Sequence, residues 1–199
     1  IHKVKAPRVA LPPLKPAEIS DLQRLLKTCQ LDTRIGARDR AILLFLLDSG
    51  VRAGELLGLD RRDLNLASGA ALVKQGKGGK PRTVYVGRQT RRAIRAYLKR
   101  RQDDHPALWL SAGGERLTYD GLRAVLTRRA GMVGIVPPSL HSFRRAFAIN
   151  MLRAGVDVFS LQKLMGHADL QVLRRYLAQT TDDIAEAHLL GSPVDNHKL

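Results

Sequence analysis

Six polar residues stand where a chain that only had to build a core would not need them: Arg52, Lys77, His141, Arg144, His167 and Tyr176. Arg52 falls in the string SGVRAGELLGLD, just after an apolar run closed by Gly50. Glu55, three residues on, is at helical spacing to hold it by a salt bridge. Lys77 sits in the glycine-rich turn QGKGG, where flanking glycines let the backbone carry a cation close to a ligand. His141 and Arg144, in HSFRR, share a helical face near a helix start, whose unpaired amides and dipole favour anions. His167 lies in the turn LMGHAD, and Tyr176 follows nine residues later, next to Arg174 and Arg175. Each residue alone also has a plain structural reading: a helix-start arginine, a solvated turn lysine, an exposed turn histidine, an amphipathic-helix tyrosine. Metal ligation is disfavoured, because His141 and His167 lack a third ligand at any recognised spacing.

The elements that must position these residues are mostly helical. Pro16 to Gln30 places Ile19, Leu22, Leu25, Leu26 and Cys29 on one stripe. Arg38 to Asp48 reads as a buried helix, and Arg52 to Leu57 as a short one beyond Gly50. The period then changes. Ala70–Lys74 and Arg82–Val86 read as two strands joined through Gly76, Gly78 and Gly79. Arg88 to Gln102 returns to helix, and Leu108–Ser111 reads as a short strand before Gly113-Gly114. Further helices are expected at Tyr119–Val133, Ser139–Ala154, Val158–Met165, Asp169–Leu177 and Asp182–Leu190. Asp157 and Asp169 are positioned to cap free amides. The expected class is α+β: a mainly helical domain with a small antiparallel β-sheet.

The composition points the same way. The chain has 199 residues, 44% of them hydrophobic, enough for a proper core. Lys and Arg number 34 against 18 Asp and Glu, a net charge of +16. That balance attracts polyanions, nucleic acid first among them, and the planar fork of arginine suits a two-point grip on phosphate oxygens. A single cysteine, Cys29, excludes a disulfide framework or a cysteine-rich zinc site. The longest apolar run, Ala41 to Leu47, is too short to span a bilayer. The expected location is cytoplasmic, with no membrane partner. Residues 1–16, basic and proline-containing, are expected to be a linker from an amino-terminal DNA-binding domain outside the chain. Residues 17–190 would then be the catalytic domain and residues 191–199 a tail.

Taken together, the strings resemble the tyrosine recombinase family, which includes phage integrases and Xer-like and Cre-like recombinases. SGVRAGELLGLD resembles the segment with the family's first catalytic arginine, and VKQGKGGKPRTVYV the hairpin with its lysine. HSFRRAFAINMLRAG is similar to the His-x-x-Arg helix, and LMGHADLQVLRRYL to the histidine–tyrosine segment. Val172 and Leu173 stand where many members carry threonines, and Phe143 where leucine is common; neither departure touches the chemistry. The resemblance covers residues 14 to 190 and implies a catalytic set of Arg52, Lys77, His141, Arg144 and His167 around a DNA phosphate, with Tyr176 as nucleophile.

That set suits the chemistry the resemblance implies. Arg52 and Arg144 would spread the charge on the non-bridging oxygens as the phosphorane forms. His141 would assist deprotonation of the tyrosine, whose ordinary pKa is near ~10. His167 would donate to a phosphate oxygen, and Lys77 would protonate the departing 5′ oxygen. The product is a 3′-phosphotyrosyl link that stores the ester energy, so rejoining needs no cofactor, ATP or metal. The expected partner is double-stranded DNA, with assembly as a homo- or hetero-tetramer on it. Two alternatives are a type IB topoisomerase, using the same chemistry for strand relaxation, and a DNA-binding module of this fold without catalysis.

Overall fold

The computed structural model describes residues 15–74, 81–166 and 189. Among these residues are seven α-helices, one 3-10 turn and one two-stranded antiparallel sheet, the α+β arrangement expected.

The helix α2 (Arg34–Ser49) is the spine. It begins a turn before the expected Arg38 because the Thr33 hydroxyl accepts a hydrogen bond from the Gly36 amide at 3.0 Å, a cap that apolar periodicity does not reveal. Ala41, Ile42, Phe45 and Leu46 bury one broad face. The helix stops at Gly50, in the left-handed region at φ 60°, where an added Cβ would lie 2.3 Å from Phe147 Cδ1. Both the dihedral and the close approach demand glycine there.

Beside α2 lie α1 (Ile19–Lys27) and α4 (Arg88–Leu98), while α3 (Ala53–Leu57) follows it beyond Gly50. The α4 N-cap is Gly87, which has no side chain to offer. Asp48, at the end of α2, supplies the cap: its carboxylate accepts from the Gly87 amide at 2.6 Å and from Thr90 Oγ1 at 2.7 Å. Trp109 fills the centre, stacked on Tyr97 of α4 and edge-on to Phe45 of α2, with centroids 5.8 and 5.9 Å away.

The strands β1 (Ala70–Val73) and β2 (Arg82–Tyr85) pair in register from Ala70 opposite Tyr85 to Val73 opposite Arg82. Ala71, Val73 and Val84 face the core, while Leu72, Thr83 and Tyr85 face outward. The expected strand Leu108–Ser111 is not formed. Its segment makes only single bridges, Asp60 with Ala107 and Leu110 with Arg116. Leu108 N turns to Leu59 O at 2.9 Å and Trp109 O accepts Leu117 N at 2.9 Å, so its backbone bonds are divided between two neighbours and no ladder extends. A 3-10 turn at Arg61–Asp63, not anticipated, fills the link from α3 to β1.

The remaining helices are α5 (Tyr119–Met132), α6 (Leu140–Arg153) and α7 (Val158–Met165). Asp157 caps α7 as expected, accepting from the Phe159 and Ser160 amides at 3.0 and 2.9 Å. Phe147 and Ala148 of α6 form a small core with Leu161 and Met165 of α7, separate from the main one. The expected helix Asp169–Leu177 lies outside the described residues, as does Asp182–Leu190 apart from Leu189. Among the described residues, no helix is long and apolar enough to cross a membrane.

Candidate active site

Arg52 is the N-cap of α3, set by the turn that Gly50 makes. Glu55 holds it twice: the carboxylate accepts the Arg52 amide at 2.8 Å and Arg52 Nη1 at 3.0 Å. The spacing seen in the sequence therefore makes the contact it allows. Glu55 is among the groups around which the site is built. Burial pushes its carboxyl pKa up, but hydrogen bonds from Arg82 and the Arg52 amide, and the charges behind them, hold it below the usual range. The Arg52 side chain stays 32% exposed. Among the described residues, Glu55 is the only partner of its guanidinium.

Arg144 comes from α6, whose N-cap Ser139 accepts the Ser142 amide. Its side chain runs inward and is only 2% exposed. Nη1 donates to Gly50 O and Nη2 to Met165 O, each at 2.5 Å. One guanidinium thus ties the turn before Arg52 to the end of α7. His141, one helical turn earlier on α6, is exposed at its edge. Its pKa is lowered from the ordinary 6.5, first by partial burial and then by the charges of Arg145, Arg144 and Arg52. The imidazole is accordingly held neutral at pH 7, the form that accepts a proton.

These observations bring Arg52, from the start of α3, together with His141 and Arg144 of α6. Lys77, His167 and Tyr176 lie outside the described residues. The arms of the hairpin carrying Lys77 are in place, and so is Gly166, the residue before His167. Lys74, at the base of that hairpin, is engaged by Asp63 at 2.7 Å and Asp60 at 3.3 Å.

Arg82 was missed by sequence reasoning. Nη1 and Nη2 grip the two oxygens of Glu55, both at 2.7 Å, and Nε donates to Leu164 O at 3.3 Å. Only the strand register, which puts Arg82 opposite Val73, and the return of α7 bring these groups together. No local pattern signals that.

A cavity of about 620 Å³ opens between α2, α4 and α6, lined by Leu44, Leu47, Phe147 and Met151 among others. None of the candidate residues lines it. A phosphate on a DNA surface is met by an open basic face rather than an enclosed apolar pocket. Among the described residues, no group of three or more His, Cys, Asp or Glu side chains is placed to hold a metal ion.

A sequence profile of the phage integrase family matches residues 17–182. The chain is similar to the tyrosine recombinase XerC of Pelobacter propionicus, 35% identical over 179 residues that cover 88% of this chain and 59% of the relative. It therefore spans less than two thirds of that relative's length. Its fold is similar to the crystal structure of XerA recombinase, with a TM-score of 0.76 at 23% identity over 95% of this chain and 67% of that one. The XerH site-specific recombinase, solved bound to its difH substrate before cleavage, has a TM-score of 0.72 at 23% identity over 96% of this chain and 58% of that one.

Proposed function

The chain belongs to the phage integrase family, and we propose that it is the catalytic domain of a site-specific tyrosine recombinase. It cleaves double-stranded DNA through a 3′-phosphotyrosyl link at Tyr176 and rejoins the strands, assembling on DNA as a tetramer in the cytoplasm. The observation that carries this reading is the gathering of Arg52, His141 and Arg144 from the α2–α3 turn and α6. The DNA-bound state of XerH supports the choice of partner.

In this mechanism a phosphodiester, which repels nucleophiles, first has its charge spread. Arg52 has guanidinium donors directed to no protein group among the described residues, and these take a non-bridging oxygen. Arg144 adds positive charge from beneath and keeps the Gly50 turn in place. Neutral His141 receives the phenolic proton as Tyr176 attacks phosphorus and the bond to the 5′ oxygen breaks. Lys77 delivers a proton to that oxygen, and His167 donates to the phosphate. Reversal of the same steps, with a new 5′ hydroxyl attacking, rejoins the strand and frees the tyrosine. The net charge of +16 supplies general phosphate grip. Part of it is spent internally, since Arg38, Arg101, Arg129 and Arg144 are buried.

The test is the covalent link. Incubated with a pool of nicked duplexes of randomised sequence, the parent chain should form an adduct that survives denaturant. Tyr176→Phe should bind the same DNA nearly as well and form none. An adduct from the Phe variant would sink the assignment. Ser142 is a poor substitute nucleophile, its buried hydroxyl donating to Ser139 O at 2.6 Å, whereas Tyr119 is exposed at the start of α5.

A further inference from the structure

We propose that Arg82 is a positioning residue that sets the register between three parts of the site: the lysine hairpin, the first arginine and the turn before His167. The assignment rests on the recombinase reading above, since it is those roles that Arg82 would align.

The geometry is specific. Each oxygen of Glu55 is shared between the two arginines. Oε1 accepts from Arg82 Nη1 and Arg52 Nη1; Oε2 accepts from Arg82 Nη2 and the Arg52 amide. The Glu55 and Arg82 side chains are 4% and 12% exposed, so this carboxylate is saturated away from solvent. The fork of Arg82 thus fixes the orientation of the carboxylate on which the Arg52 side chain rests. The third contact of the Arg82 guanidinium, Nε to Leu164 O, reaches the last turn of α7. An added Cβ on Gly166, itself at φ 61°, would lie 2.7 Å from Arg82 Cδ. The α7 exit is thus moulded around this side chain. Arg82 opens β2, the strand that follows Lys77 by five residues in the sequence.

An exposed ion pair of this kind would contribute little. A buried one carries a desolvation cost that its attraction only partly offsets, so stability alone is a weak reason for it. Its geometry gives it another use. The planar fork of arginine spans two carboxylate oxygens and a carbonyl at once, whereas the point charge of lysine satisfies one direction at a time. Charge alone would leave Glu55 neutralised but Arg52, the hairpin and α7 free to slip relative to one another.

Arg82→Lys is the test, compared with the parent on a nicked duplex selected from the randomised pool. The duplex is made with either oxygen or sulfur at the bridging 5′ position. Sulfur leaves without a proton donor, so the sulfur-to-oxygen rate ratio reports how well the lysine is placed. DNA affinity should stay within about twofold, and single-turnover cleavage of the oxygen strand should fall on the order of tenfold or more, part of what losing a general acid outright costs. The sulfur-to-oxygen ratio should rise above that of the parent, while the sulfur rate stays below the parent's because Arg52 is also misplaced. A purely structural role would scale both substrates by the folded fraction and leave the ratio unchanged. That result, or a parental rate on both, would overturn the assignment of Arg82 alone. No adduct from the parent would overturn the recombinase reading and this assignment with it. Emission from Trp109, the single tryptophan, reports the folded fraction of each sample.

Discussion

Two regions of this molecule gather arginines around a buried carboxylate, and they use the arrangement differently. Where α2 meets α5, Asp39 is fully buried. Its Oδ1 accepts from Arg38 Nε and Nη2 at 3.0 and 2.6 Å. Its Oδ2 accepts from Arg128 Nη2 at 3.0 Å and from Arg129 Nε and Nη2 at 3.0 and 2.7 Å. The remaining reach of the two buried ones goes to backbone, Arg38 to Leu110 O and Arg129 to Thr28 O, each at 2.6 Å, while Arg128 closes the cluster from the half-exposed rim. At Glu55 one arginine, Arg82, is used up in the same way, but the other is pinned at a single guanidinium nitrogen and keeps a third of its side chain in solvent. The first cluster joins helices. The second holds a cation still while leaving it available. Exposure and spare donors, rather than charge, set Arg52 apart from Arg38 and Arg129.

The largest effect should come from breaking the closed cluster. Asp39→Ala leaves the buried Arg38 and Arg129 guanidiniums without their carboxylate, a loss of about 3–5 kcal/mol. Thermal unfolding should show a drop of many degrees, and a Tm within a degree or two of the parent would undo the comparison. Arg52→Ala should do the opposite. Its Tm should barely move, because Glu55 keeps Arg82, while single-turnover cleavage falls by about 10²–10³-fold, the cost of one charge-stabilising donor. Salt dependence sharpens the contrast further. Arg52→Ala should reduce the slope of log affinity against log salt by about 1. Arg129→Met should leave that slope where it is, in whatever fraction remains folded.

The smallest effect concerns pH. Because the folded-state pKa of His141 is depressed, the unfolded chain takes up this proton first as pH falls. Stability attached to neutral His141 is present above 6.5 and declines as pH drops from there through the folded value. Its imidazole resonance should titrate with a midpoint below 6.5, and Arg145→Gln should raise that midpoint by removing the charge with the largest effect of the three. A midpoint at or above 6.5 in the parent would remove the electrostatic link between His141 and the arginines.

What could be read from the sequence follows from the range of the interactions. The Arg52–Glu55 pair is local, three residues apart, and helical spacing alone suffices to anticipate it. The same holds for the Asp157 cap and for the two strands, short runs on either side of Gly76, Gly78 and Gly79. The role of Asp39 is not legible in ARDRA, because nothing within a turn of it shows that Arg128 and Arg129 arrive from α5. Arg82 is hidden for the same reason: its partners lie on α3 and α7. The missed start of α2 and the unformed strand at Leu108–Ser111 turn on single hydrogen bonds, the Thr33 cap and the divided backbone bonds of Leu108 and Trp109. Lys77, His167 and Tyr176 rest on motif and order in the sequence, outside the described residues.

The separate small core under α7 carries one more consequence. Phe147, Ala148, Leu161 and Met165 give that helix a footing of its own, apart from the α2–α4 packing around Trp109. A helix seated on four buried side chains forms a cooperative unit that opens for far less than the free energy of global unfolding. Two latches close it, Arg82 on Leu164 O and Arg144 on Met165 O. The amide hydrogens of α7 should therefore exchange with solvent well ahead of those of α2.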